Sequence, residues 1–211
     1  MLFCNVAVPG REDPLRESRG LTGYPSVAWL DTAGEVLIEV PFAARDVAGF
    51  RASLARAREY LRLRIASAER DHEATARFLL MQLEEHQLEH EPALARRGAL
   101  EFDDAELLAR IDLLLIDLGI SAALRSFGQK RRHELGPKFL AMLDDGPRPS
   151  PHVSRGYWYA ILEWAERERD GATFRRGLDG FRAALRITDP GASWVGPLLR
   201  RYEAKLRDLE R

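Results

Sequence analysis

The 211-residue chain holds a single cysteine, Cys4, and that scarcity removes two chemistries at once. One thiol forms no intrachain disulfide and builds no thiolate metal cage. Lying in the apolar run Leu2–Val8, Cys4 reads as a small buried hydrophobe rather than a nucleophile. An excess of basic charge is also missing. Thirty-two Lys and Arg face 33 Asp and Glu, for a net charge of −1, and a chain without a basic surplus is not built around phosphate contacts. No nucleic-acid partner is expected. No stretch of 18 apolar residues occurs, so no membrane-spanning helix is expected either. The opening residues Met1–Val8 have no charged segment ahead of a long apolar one and enter a strand at once, unlike a secretory leader. There is no Gly-rich phosphate loop, and no Ser-His-Asp set has supporting context.

What the chain has is enough apolar residue to build a core (45% hydrophobic, with 31% charged) and a length suited to one large or two small domains. Its most informative stretch is Gly20–Glu39. Ser26–Leu30 reads as a short strand with a β-branched and an aromatic residue. Asp31-Thr32-Ala33-Gly34 has the Asp-first, Gly-last composition of a tight turn. Glu35–Val40 returns as the partner strand. Before it, Leu2–Val8 reads as a strand, and Asp13-Pro14 opens a short helix that Gly20 ends. After it, Asp46 caps a long helix whose apolar stripe is Val47, Phe50, Leu54, Ala57, Leu61 and Ile65.

Gly20, Gly23, Tyr24, Pro25, Leu30, Asp31 and Gly34, with Ser26 where threonine is usual, resemble the second half of a thioredoxin-like domain over roughly residues 2–62. The resemblance implies that Pro25 is the cis proline facing the redox site, and that Gly23, Tyr24 and Pro25 expose backbone able to pair with an extended peptide. It also exposes a gap. Leu2–Val8 matches the family's second strand, so the central strand and the Cys-x-x-Cys helix are both absent. Three explanations stand: Met1 is an internal methionine of a longer gene product, the two orphaned strands pair directly in a reduced sheet, or a partner chain supplies the strand.

From residue 66 the pattern is helical. Asp71 caps a helix over His72–Leu88, Glu91–Leu100 is a short helical or irregular connection, and Asp103-Asp104-Ala105-Glu106 resembles a capping box with Asp in place of Ser or Thr. The helix Ala105–Leu118 is apolar nearly all round and is expected to be central, with Gly119 ending it. Ser121 caps the next helix, which stops at Gly136-Pro137. Residues 144–151, with Gly146, Pro147, Pro149 and Pro151, form a linker. Three helices then close the chain: His152–Arg169, Ala172–Ile187 behind the cap Asp170, and Ser193–Leu209. Within them Ala165, Gly177, Phe181, Ala184 and Pro190 resemble one degenerate tetratricopeptide-type repeat, with Glu168 replacing the family's tyrosine. A plain helical bundle fits as well. The fold class is thus α+β and mostly α: a partial thioredoxin-like β-α-β-β-α segment (1–65) followed by an all-α helical-hairpin, TPR-like domain (66–211).

His86-Gln87-Leu88-Glu89-His90 matches the His-x-x-Glu-His pattern of inverted zinc peptidases. On one helix, histidines at i and i+4 share a face and can bind Zn²⁺, with Glu163, Glu166 or Glu168 completing the set. The competing reading, a solvated acidic helix end, assigns no metal. Lys130-Arg131-Arg132-His133 reads as a solvated basic helix face, and Tyr157, Trp158, Trp164 and Trp194 read as core aromatics. No catalytic residue and no cofactor is assigned. The expected function is binding of a protein or peptide partner by a non-catalytic thioredoxin-like protein with a helical interaction domain. The alternative is a thiol-disulfide oxidoreductase whose Cys-x-x-Cys lies upstream of Met1. On either reading the compartment is open, cytoplasmic by default and periplasmic if an upstream export signal has been lost. The in-frame genomic sequence separates the two: a Trp-Cys-x-x-Cys followed by a helix just before Met1 identifies the oxidoreductase, because exchange needs an activated thiolate and a resolving partner.

Overall fold

Turn chemistry sets the sheet. In a computed structural model, which describes residues 2–5, 26–146, 148–189 and 191–211, Asp31 Oδ1 accepts the Ala33 and Glu35 N–H groups, each at 2.9 Å. Gly34 N donates to the Asp31 carbonyl at 3.2 Å, and Gly34 takes the φ of 82° that closes the turn. This joins β2 (Ser26–Leu30) to β3 (Val36–Glu39). β1 (Leu2–Asn5) pairs antiparallel with β2, Leu2 opposite Trp29 and Asn5 opposite Ser26. The sheet order is β1-β2-β3. Direct pairing of the two strands is therefore what this structure contains, with nothing between them. The Asp13-Pro14 helix and the Gly23, Tyr24 and Pro25 site lie outside the described residues.

The hairpin is irregular at one point. Trp29 pairs with Ile38 and Leu30 with Val36, leaving Leu37 as an extra residue on β3. A bulge of this kind bends the strand and lets consecutive residues face one core. Leu37 and Ile38, each 2% exposed, both join the cluster of Ala57, Tyr60, Leu63, Ala74 and Met81.

Three helices complete this part: α1 (Val47–Ala68), α2 (His72–Glu84) and α3 (His90–Gly98). The caps fall where the sequence puts them: Asp46 accepts from Gly49 N at 2.7 Å and Asp71 from Ala74 N at 2.9 Å. The buried stripe of α1 does so only in part, through Ala57 and the packed Leu61. It runs through Ser53, Ala57, Tyr60 and Leu63, while Val47 is 69% and Ile65 58% exposed. The reason is that polar groups on that face are satisfied. Trp29 Nε1 donates to Ser53 Oγ at 2.9 Å, and Tyr60 meets Phe78 of α2 edge-on at 5.0 Å. Helix α2 ends at Glu84, short of Leu88, because His86 takes φ 54°.

The rest is all helical: α4 (Ala105–Arg131), a 3-10 turn (Arg132–Leu135), α5 (Gly136–Asp145), α6 (Pro151–Arg167), α7 (Gly171–Thr188) and α8 (Val195–Leu209). Helix α4 corrects three expectations. It passes through Gly119, where a Cβ would lie 2.7 Å from His90 Nε2, so that glycine serves a close approach and not a stop. Ser121 is mid-helix and caps nothing; the break comes at Gly128 (φ 62°, ψ 179°). Nor is α4 central: Ile111, Leu115 and Ile120 are buried, but Leu113 is 38% exposed. Its N-cap is Asp104, which accepts from Leu107 N at 3.0 Å. Gly136-Pro137 opens α5 instead of ending a helix, since proline in the first turn has no N–H to lose.

The chain divides into two compact units, Met1–Leu88 with Pro92–Leu108, and Glu89–Glu91 with Ala109–Arg211. The expected boundary at 65/66 falls inside α1, and α2 shares the first unit with the sheet. The described residues of the expected linker, 144–151, all lie within the second unit, with Asp144 and Asp145 still in α5. There, α6 and α7 form a hairpin around Phe139, Tyr157, Ile161, Leu162, Phe174 and Phe181. Gly177 brings the pair close: a Cβ there would sit 3.2 Å from Ile161 Cγ2.

One turn recurs. At the end of α1, Arg70 (φ 65°) donates to Ser67 O and Asp71 N to Ala66 O. At the end of α6, Arg169 (φ 56°) donates to Glu166 O and Asp170 N to Ala165 O. These are Schellman closures with arginine where glycine is usual, and the next residue caps the following helix, Asp170 accepting from Thr173 N at 3.0 Å. Asp170→Ala should cost about 1 kcal/mol of stability, and Arg169→Gly should add roughly 0.5–1 kcal/mol by relieving the left-handed arginine. Denaturant titration of the two variants checks both signs.

Candidate functional site

The bulge generates the site. Gln87 Nε2 donates to the Leu37 carbonyl at 2.7 Å, on β3, an edge of the described sheet. Gln87 stands where it does because the left-handed turn at His86 returns the chain toward β3. His86 N donates to Leu83 O at 3.1 Å and Gln87 N to Gln82 O at 2.9 Å, the same closure as above. Tyr60, 5% exposed, donates its hydroxyl to Gln87 Oε1. Tyr60, Gln87 and the Leu37 carbonyl thus form one chain of hydrogen bonds from α1 to the sheet edge, which fixes the Gln87 amide.

Beside this chain lies a cavity of about 540 Å³ within the first unit, in the size range of small-ligand sites. Glu35, Val36 and Glu39 of the hairpin form one wall, and Tyr60 and Arg64 of α1 a second. The end of α2, with Gln82 and Glu85, and Arg96 of α3 form the rest. Arg96 Nη1 donates to Gln82 Oε1. Arg64 is held by Asp31 at 2.9 Å, and Arg56 binds Glu84 at 2.8 Å and also Glu85.

The electrostatics follow from these partners. The Glu35 N–H, Arg64 and the Ala33 N–H hold the Asp31 carboxyl below its ordinary range. Burial, and after it the Glu85 carboxylate, push Glu39 upward. Burial likewise raises Tyr60. The cavity can therefore present amide donors and acceptors, a phenol, carboxylates and guanidinium groups.

The sequence candidates fare differently. His86 lies in the turn beyond α2 and lines the cavity, while His90 begins α3, so the pair does not share one helix face. Among the described residues no group of three or more His, Cys, Asp or Glu converges to hold a metal. Glu163 is paired with Arg132, and Glu166 with Lys205 at 2.6 Å. The basic cluster is compensated in the same way: Arg131 binds Glu134 at 2.7 Å, and Arg132 also stacks on Tyr159 at 4.8 Å. Tyr157 and Trp158 are core, with the Tyr157 hydroxyl donating to Phe139 O at 2.6 Å and pushed by burial to about 12. Trp194 differs, being 41% exposed under Arg155.

Tyr60, Gln82, Gln87 and Arg96 were not singled out by sequence. The one available signal was the placement of two neutral amides, Gln82 and Gln87, in the otherwise acidic run 82–91. Comparison with family models, curated proteins and solved structures returns no match. Fold and site together define a mostly helical α+β protein with a polar cleft along a sheet edge. Among the described residues no helix is long and apolar enough to cross a membrane.

A raised carboxyl penalises folding once ionised: the penalty is absent below the unfolded value, ~4.3 for glutamate, and complete above the raised folded value. Glu39→Gln should therefore raise the melting temperature at pH 7 and leave it unchanged near pH 3, as paired calorimetric scans would show.

Proposed function

We propose that this chain binds a peptide or protein partner, with the cleft of the first unit as its peptide-binding site. The observation that carries this reading is the Gln87 amide bonded to the Leu37 carbonyl at the β3 edge. A carboxamide there makes the bond that a peptide N–H would make, and Gln82 and Tyr60 add further neutral hydrogen-bonding groups alongside. Recognition of extended segments at a sheet edge works through main-chain bonds of this kind, with specificity from neighbouring side chains. The resemblance to a thioredoxin-like domain, carried by the turn at Asp31 and Gly34 and the β-β-α order around it, supports the same reading. In this reading the helical second unit is an interaction domain, and the close α6/α7 hairpin at Gly177, with Phe181 and Ala184 buried, supports the tetratricopeptide-type comparison.

Affinity selection from a pool of short free peptides over the purified chain tests the proposal. Enriched sequences should bind with micromolar affinity, and Gln87→Ala should weaken them at least about tenfold, the loss expected for a partly buried hydrogen bond. No enrichment, or binding indifferent to Gln87, would overturn it.

A further inference from the structure

Resting on the peptide-binding reading, the charges of the cleft carry it one step further. Among the charged groups that line it, Arg64 is matched by Asp31 and Glu85 by Arg56. Glu39 and Arg96 differ. Among the described residues Glu39 forms no ion pair, its nearest cationic influence being Arg45. Arg96 bonds only the neutral amide of Gln82.

These two charges stand on different walls. Glu39 lies on β3 and Arg96 on α3, and Tyr60, Gln82 and Gln87 line the same cavity. The cleft therefore has a basic group on one wall and an acidic group on another. A ligand of one charge would satisfy one wall and leave the other facing its own sign. A ligand with an ammonium and a carboxylate joined by a short polar backbone satisfies both, and meets the Gln82 and Gln87 amides between them.

We infer that the cleft takes a short free peptide as a zwitterion, its N-terminal ammonium on Glu39 and its C-terminal carboxylate on Arg96. Charge-assisted hydrogen bonds at the ends then set the length selected, while the amides and Tyr60 read the main chain. Side chains, for which the cavity offers few apolar walls, contribute little.

The test is a titration with trialanine, its N-acetyl form, its C-terminal amide, the doubly capped peptide and alanine, followed by NMR of the Gln82 and Gln87 side-chain amides. Trialanine is expected to saturate one site below millimolar concentration. Acetylation should weaken it about tenfold or more, and so should Glu39→Gln, with no further loss when the two are combined. Amidation and Arg96→Gln should behave as the second such pair, Arg96→Lys restoring part of the binding. Capped peptide binding as tightly as trialanine overturns the zwitterion while leaving peptide binding in place. Alanine binding as tightly overturns the peptide in favour of a free amino acid. No saturation by any of the five overturns the site itself. Melting curves of the Glu39→Gln and Arg96→Gln variants separate loss of binding from loss of fold.

Discussion

A helix that ends in a left-handed residue, followed at once by an aspartate cap, is the constraint on which both units depend. It costs the chain a strained arginine at Arg70 and Arg169, of order 1 kcal/mol each, and it satisfies the last carbonyls of one helix and the first amides of the next within three residues. The return is immediate antiparallel packing. In the first unit it brings Phe78 against Tyr60. In the second it lays α7 along α6, so that Phe174 and Phe181 reach the cluster of Tyr157, Ile161 and Leu162. A longer or looser turn would lose that register, and the apolar stripes would meet out of phase.

The same closure at His86 has a different consequence, because no cap follows it. Released from α2, the chain carries Gln87 to the sheet edge, where the bulge at Leu37 presents a carbonyl. Two local irregularities, one in a strand and one at a helix end, thus answer each other. The first unit is built around their meeting, with Tyr60 fixed by both.

This explains which parts of the structure the sequence discloses. Asp31, Asp46, Asp71 and Asp170 were all read correctly, because a cap or tight turn is decided by residues within four positions. The stripe of α1 is legible only in part: Ala57 is buried and Leu61 packs against the core, while Val47 and Ile65, more apolar than Ser53 and Tyr60, are exposed. Burial went instead to the face whose polar atoms find partners in Trp29 and Gln87. Gly119 and Gly136 looked like helix stops, yet each is small because something approaches it, His90 in one case and Trp164 in the other. A glycine's reason lies in its spatial neighbours, and a single sequence does not list them. The turn at His86 gave no warning at all, since neither glycine nor asparagine marks it. That turn breaks the His-x-x-Glu-His pattern as a helical pair and creates the cleft.

The cleft was therefore hidden for the same reason that it is specific. None of Gln82, Gln87, Tyr60 and Arg96 belongs to a spacing pattern, and each acquires its role only after the bulge and the left-handed turn have formed. A site assembled from hydrogen bonds to main chain is tuned by backbone geometry before side-chain identity. Glu39 shows the cost of that arrangement. Its side chain is exposed, yet burial and the Glu85 carboxylate raise the carboxyl. A cation beside Glu39 would offset that like-charge contact, and an anion beside Arg96 would give its guanidinium the ion pair that the neutral Gln82 amide does not.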